Sequence, residues 1–225
     1  MIDTAKAFGS KIVVNHLRAL RISTEQTDHF RKMYQPMAAK VTPKKVIKVL
    51  HEAGVQFVLM GTHGIGGWRK QARATQDVDV LVAKKDHRLA VRVLSETYPK
   101  LQIQDTPVVT RLIDPASGEP AIDVMKPNQA VLRVVFRESI PVKDTHRIPN
   151  LEMALVSKFA AMVSPHRIRD KKWIDGGDFV NIALHNRAKL KLTKLIRLAE
   201  KVYPGGGEEI RRMIEALDAG RQIVF

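Results

Sequence analysis

Two aspartates one residue apart, Asp77 and Asp79 in the run Asp-Val-Asp-Val-Leu-Val-Ala (77–83), are the residues of this chain best suited to chemistry. On an extended strand, residues i and i+2 point to one face with Cα atoms about 6.6 Å apart, so both carboxylates can reach a single cation. Without one, two like charges about 6 Å apart repel by roughly 3 kcal/mol at an effective dielectric near 20. The plainer reading of such a pair is a solvated strand edge; the chemical one is a metal site. A third carboxylate, Asp123, sits among apolar neighbours in Ala-Ile-Asp-Val-Met (121–125). It either faces solvent from an antiparallel hairpin, or faces the same place as the pair and completes a three-acid cluster for divalent cations.

The elements that must position these acids are legible as short apolar runs. Residues 55–60 (Val-Gln-Phe-Val-Leu-Met) read as a strand that meets Gly-Thr-His-Gly-Ile-Gly-Gly-Trp at Gly61. Bare backbone N–H groups at such a turn can approach phosphate oxygens, with Thr62 adding a hydroxyl; a flexible turn is the alternative. Residues 77–83 read as the next strand, with Val78, Val80 and Val82 on the face opposite the aspartates. Ahead of them, Thr42 as N-cap and Pro43 at the first helical position open a helix with an apolar face of Val46, Ile47, Val49 and Leu50 that ends at Gly54.

After the pair come a helix over 86–97, strands over 101–104 and 108–113, the turn Asp-Pro-Ala-Ser-Gly-Glu-Pro, and the strand 121–125, the last two strands forming a hairpin. Residues 128–136 read as helix and 140–148 as a short strand pair or loop. Beyond Pro149 helices dominate, over 151–163, 178–186, 189–203 and 208–217, with Pro204-Gly205-Gly206-Gly207 as a break. Residues 1–40 carry a weak pattern that predicts one or two short helices. The expectation is an α/β (α+β) fold: an N-terminal helical extension (1–40), a core with a mixed sheet and helices (41–150), and a C-terminal helical domain (151–225).

Composition narrows the chemistry. With 38 Lys+Arg against 23 Asp+Glu the chain carries a formal charge of +15, which favours an anionic partner. The absence of cysteine excludes a disulfide scaffold, a Cys-ligated zinc and a thiol nucleophile. No window approaches the roughly 20 apolar residues of a membrane span. Lys6, Lys11, Asn15 and His16 interrupt any signal-peptide core, so the expected setting is cytoplasmic, without a membrane. Between Lys158 and Lys201 the basic residues outnumber the acidic ones 11 to 4. Arg187, Lys191, Lys194 and Lys201 recur opposite Leu192, Leu195, Ile196, Ala199 and Val202, a face that is either simply solvated or binds RNA.

The stretch FVLMGTHGIGGWRKQARATQDVDVLV followed by AIDVM resembles the nucleotidyltransferase superfamily of the polymerase-beta type, whose signature is an apolar strand, a Gly-Gly or Gly-Ser turn, Asp-x-Asp and a later third Asp. Here Gly61-Thr62 stands in the turn. With Arg73, Thr75 and Asp77 in sequence, then LEMALVSKFAAM and RDKKWIDGGDFVNI, the chain is most similar to AbiEii-like toxin nucleotidyltransferases and related bacterial proteins.

That resemblance implies transfer of a nucleoside monophosphate from a nucleoside triphosphate to a hydroxyl, with RNA such as tRNA as acceptor and an antitoxin protein as partner in a toxin-antitoxin or phage-defence pair. It implies Asp77 and Asp79 as ligands of Mg²⁺ (or Mn²⁺) on the triphosphate, with Asp123 holding or activating the acceptor hydroxyl. Gly61, Thr62, Arg73, Thr75, Lys158 and Asp178 are its nucleotide-binding set.

Each carries a plainer reading: Lys158 a surface lysine, Asp178 a helix N-cap, Arg73 a partner of a nearby aspartate. His63 reads as a ligand or base or, more plainly, as solvated among its glycines, and Trp68 and Trp173 as base-stacking or packing residues. The alternative for the whole chain is a non-catalytic protein of this fold that binds nucleic acid or a partner protein.

Overall fold

The short apolar runs become seven strands of one mixed sheet in the computed structural model, which describes residues 4–35 and 40–223. The strands are β1 (Phe57–Leu59), β2 (Val78–Val82), β3 (Gln102–Asp105), β4 (Val109–Ile113), β5 (Pro120–Met125), β6 (Ser139–Val142) and β7 (His146–Pro149). They lie in the order β3-β4-β5-β2-β1-β7-β6. The pairs β2–β5 and β1–β7 run parallel; the other neighbours are antiparallel, including the expected β4–β5 hairpin. Val58, Leu59, Val80, Leu81, Val82, Ile122 and Val124 are all fully buried, so the middle of the sheet is covered on both faces. Within β2 only Asp79 escapes full burial. The α/β class expected from the sequence, a mixed sheet with helices followed by further helices, is the one observed.

The sheet belongs to one compact unit (Met1–Gly67, Gln71–Asn128, Ser139–Pro149). Its first element is α1 (Thr4–Tyr34), one continuous helix where one or two short ones were expected. The apolar pattern is weak because the buried stripe of α1 is largely small or polar: Ile12, His16, Ala19, Ser23 and Thr27 at helical spacing. Such a stripe suits close backbone approach. A Cβ on Gly67 would lie 2.9 Å from His16 N, and one on Gly66 would lie 3.0 Å from the Ala19 Cβ. Two later glycines of the glycine-rich segment are therefore the seat of α1.

Helix α2 (Pro43–Glu52) forms as its sequence dictates, with the Thr42 hydroxyl accepting from Lys45 N at 3.3 Å, and buries Val46, Ile47 and Leu50. Helix α3 (Gly61–Ile65) and a 3-10 turn (Gly66–Trp68) replace the expected loop. Helix α4 (His87–Thr97) packs against α2 and buries Ala90 and Leu94.

The second unit (Trp68–Lys70, Gln129–Glu138, Asn150–Phe225) is helical: α5 (Ala130–Glu138), α6 (Leu151–Val163), α7 (Arg169–His185), α8 (Leu192–Ala199) and α9 (Gly206–Asp218). Its core is Met153, Leu155, Phe159, Phe179, Ile182, Leu195 and Ile210. Helix α7 begins at Arg169, well before the expected start at Asp178, so Asp178 is a mid-helix residue rather than an N-cap. The reason is electrostatic. Asp175 and Asp178 share the buried face of α7 and receive Lys158 of α6 at 2.7 and 2.8 Å, with Arg167 on Asp175 at 2.7 Å and Arg69 on Asp178. Lys158 is thus a buried partner of two acids and not a surface lysine. The expected helix 189–203 is shorter, because the chain makes a 3-10 turn (Arg187–Lys189) before α8. Among the described residues no helix is long and apolar enough to cross a membrane.

Three histidines are buried in the sheet unit. His16 Nε2 and His146 Nε2 lie 2.9 Å apart, and His63 Nδ1 lies 3.5 Å from Ser23 Oγ. Desolvation pushes His16 down to about 3 and His63 and His146 down to about 4, the first also repelled by the other two imidazoles. The unfolded chain, with histidines near 6.5, therefore binds more protons than the folded one below that pH. Stability from these groups is complete above about pH 6.5 and is lost as the pH falls toward 4. Urea unfolding from pH 7.5 to 4.5 should show a falling midpoint, on the order of 2 kcal/mol per imidazole, with a shallower fall in His16→Leu.

Candidate functional site

Sheet register decides which charges meet. Asp79 of β2 pairs in parallel register with Asp123 of β5, and Asp123 pairs in antiparallel register with Arg111 of β4. Register partners on neighbouring strands lie about 5 Å apart and point to the same face. Arg111, Asp123 and Asp79 therefore stand in a row across the sheet. The Arg111 Nε lies 3.6 Å from Asp123 Oδ1, with the aspartate only 17% exposed. Asp77 sits one residue ahead of β2, where its Oδ1 accepts from Thr75 Oγ1 at 2.5 Å.

The glycine-rich segment reaches this row at one point. Gly61 has φ of +54°, and a Cβ there would overlap Asp79 Oδ2, so the carboxylate occupies the space of the missing side chain. Gly64 is close-packed in another direction, against the Leu59 carbonyl. Thr62 and His63 are buried, His63 contrary to the expectation of a solvated imidazole.

The segment between Gln71 and Asp77 has no regular structure and would leave its backbone groups without partners. Side chains of α1 supply them. Ser23 Oγ donates to Arg73 O at 2.7 Å. Thr27 Oγ1 lies 2.9 Å from Thr75 O and accepts the Thr75 N–H at 3.2 Å. The Arg31 guanidinium donates to Val41 O and Gln76 O, both at 2.6 Å. Arg73 donates to the Ala74 carbonyl at 3.0 Å. Sequence reading missed Ser23, Thr27 and Arg31, although their i, i+4, i+8 spacing marks one polar helix stripe. It missed Arg111 as well, which the register of the hairpin across residues 114–119 places opposite Asp123.

The remaining expected residues lie in the helical unit. Lys158 and Asp178 are there and pair with each other. Trp68 is buried, the packing reading, whereas Trp173 is 58% exposed. The expected basic row is divided: Arg187 pairs with Asp218, and Lys194 pairs with Glu138 at 2.6 Å and Glu152 at 3.5 Å, whereas Lys191 and Lys201 are exposed.

Among the described residues no three Asp, Glu or His side chains are grouped to hold a metal ion. The donors at the row are all carboxylate oxygens, the chemistry of a hard cation. Mg²⁺ needs only one or two protein carboxylates when substrate phosphates and water fill its other positions, so Asp79 with Asp77 or Asp123 suits it without a three-acid cage.

The chain matches no protein-family model and no curated protein sequence. A solved structure of an antigenic nucleotidyltransferase-like protein from Paracoccidioides brasiliensis is similar to it at 13% identity, over 76% of this chain and 89% of that one, with a TM-score of 0.43.

The packing at Gly61 is testable against a glycine of like conformation. Gly61→Ala should lose both the positive-φ cost of about 1–2 kcal/mol and the packing of Asp79, whereas Gly118→Ala, at φ +72° with nothing within 4 Å, should lose the first alone. Urea unfolding of the two variants checks the difference; equal losses would show that the carboxylate yields at no cost.

Proposed function

We propose that this protein is a metal-dependent nucleotidyltransferase that moves a nucleoside monophosphate from a nucleoside triphosphate to a hydroxyl. The observation that carries the reading is the register that sets Asp79 beside Asp123, with Gly61 against the Asp79 carboxylate. It unites the glycine turn, the Asp-x-Asp run and the later acid, the three parts of the motif from which the resemblance was drawn. In the reaction the acceptor oxygen forms a bond to the α-phosphorus as the bond to the bridging oxygen breaks and pyrophosphate leaves.

Asp123 holds the acceptor hydroxyl and takes its proton. Asp77 and Asp79, together with Asp123, would hold Mg²⁺ or Mn²⁺, which when bound neutralises phosphate charge. Thr75 fixes the Asp77 carboxylate through its hydroxyl, and Gly61, Thr62 and Arg73 flank the triphosphate. Lys158 and Asp178, the other two residues of the nucleotide-binding set, pair with each other in the helical unit.

RNA is the proposed acceptor. The charge of +15 and the exposed Arg169, Lys171, Lys191, Arg197 and Lys201 support it. A toxin role with an antitoxin partner rests on the resemblance alone. The Arg111–Asp123 pair favours the second reading, a non-catalytic binding protein, because it occupies one of the acids.

Incubation with each α-labelled NTP, Mg²⁺ and total cellular RNA separates the two. Label should enter RNA, and Asp79→Asn and Asp123→Asn should each reduce it at least about 100-fold with the urea midpoint unchanged or raised. No label in RNA or protein with any NTP would leave the binding reading in place.

A further inference from the structure

We propose that Arg111 is the resident counter-ion of the acid row: it holds Asp123 while no nucleotide is bound and releases it to polyphosphate, so that cation binding at the row depends on nucleotide. The inference rests on the nucleotidyltransferase reading and adds a residue that the motif does not contain. Three observations carry it. Arg111 is the register partner of Asp123, and its other register partner is the neutral, exposed Gln104. The guanidinium is placed on Asp123 but loosely, since 3.6 Å is too long for a hydrogen bond and the buried Nε makes none. Its side chain is 41% exposed although Nε is buried, so the rest of the side chain is accessible to a ligand.

A register shift between Leu112 and Ile113 adjoins it, the kind of strand irregularity that re-aims a side chain beside a site.

The chemistry then has a direction. A divalent ion at Asp79 and Asp123 would stand near the Arg111 guanidinium and bind weakly. A triphosphate offers the guanidinium a bidentate partner of higher charge than one carboxylate, drawing it off Asp123. The acid is thereby exchanged from arginine to cation as the substrate arrives. No covalent step is involved, and Arg111 acts as a positioning residue for Asp123.

Mn²⁺ binding to the full chain, followed by the electron paramagnetic resonance of free Mn²⁺, tests this without turnover. Without nucleotide, wild type should bind Mn²⁺ weakly. Arg111→Gln should bind it about 10- to 100-fold more tightly, the size expected for removing one charge about 6 Å from a divalent ion in a partly screened site. Arg111→Lys keeps the charge and should bind as weakly as wild type, which guards against a change in folding. With a non-hydrolysable α,β-methylene analogue of each NTP, wild-type affinity for Mn²⁺ should rise, and the rise should be smaller in Arg111→Gln.

An apo affinity equal in wild type and Arg111→Gln, with nucleotide-dependent binding that Asp79→Asn removes, would overturn the role of Arg111 and leave the nucleotidyltransferase reading standing. Mn²⁺ binding that no form makes dependent on Asp79 would overturn both.

Discussion

The carboxylate of Asp79 fills the space where a side chain on residue 61 would be, and much of the sheet unit is arranged around that contact. It requires glycine at the start of α3, two residues past β1, and it requires β1 and β2 to be antiparallel neighbours with Met60 N donating to Asp79 O at 2.8 Å. The parallel pairing of β2 with β5 then brings Asp123 alongside. A charge among strands that are mostly buried is costly unless it is solvated or paired. Here Asp79 keeps partial exposure, and Asp123 keeps Arg111.

The second constraint is the irregular stretch that leads into Asp77. A loop of this kind has little packing of its own, and its carbonyls would be mobile in water. In this protein Ser23, Thr27 and Arg31 of α1 bind three consecutive parts of it, at Arg73, Thr75 and Gln76. Helix α1 comes close enough only because Gly66 and Gly67 lack side chains. The same glycine-rich segment thus serves two partners, an acid at its start and a helix at its end.

In the helical unit, the buried Lys158, Asp175 and Asp178, with Arg69 and the exposed Arg167 on the two acids, align α6 and α7. Removing one partner from such a cluster strands the others, typically at a cost of about 3–5 kcal/mol. Residues resembling a family motif can therefore hold a helix pair together.

What the sequence determined by itself was local. Period-2 alternation marked the strand that carries Asp79, though Asp77 lies one residue ahead of it, the Thr42-Pro43 cap started α2, and the apolar runs separated by turns announced the β4–β5 hairpin and the α/β class. These follow from interactions within a few residues, which a sequence displays directly. The tertiary structure decided everything that depends on partners far apart in the chain. The sheet order chose Asp123 as the neighbour of Asp79 and Arg111 as the cation beside it. The polar stripe of α1 gave a weak hydrophobic signal because its partners are backbone carbonyls and glycines, which have no apolar side chains for a pattern to match. Asp178 read as a helix start because a charge within a helix gives no local sign that Lys158, twenty residues earlier in the chain, will neutralise it.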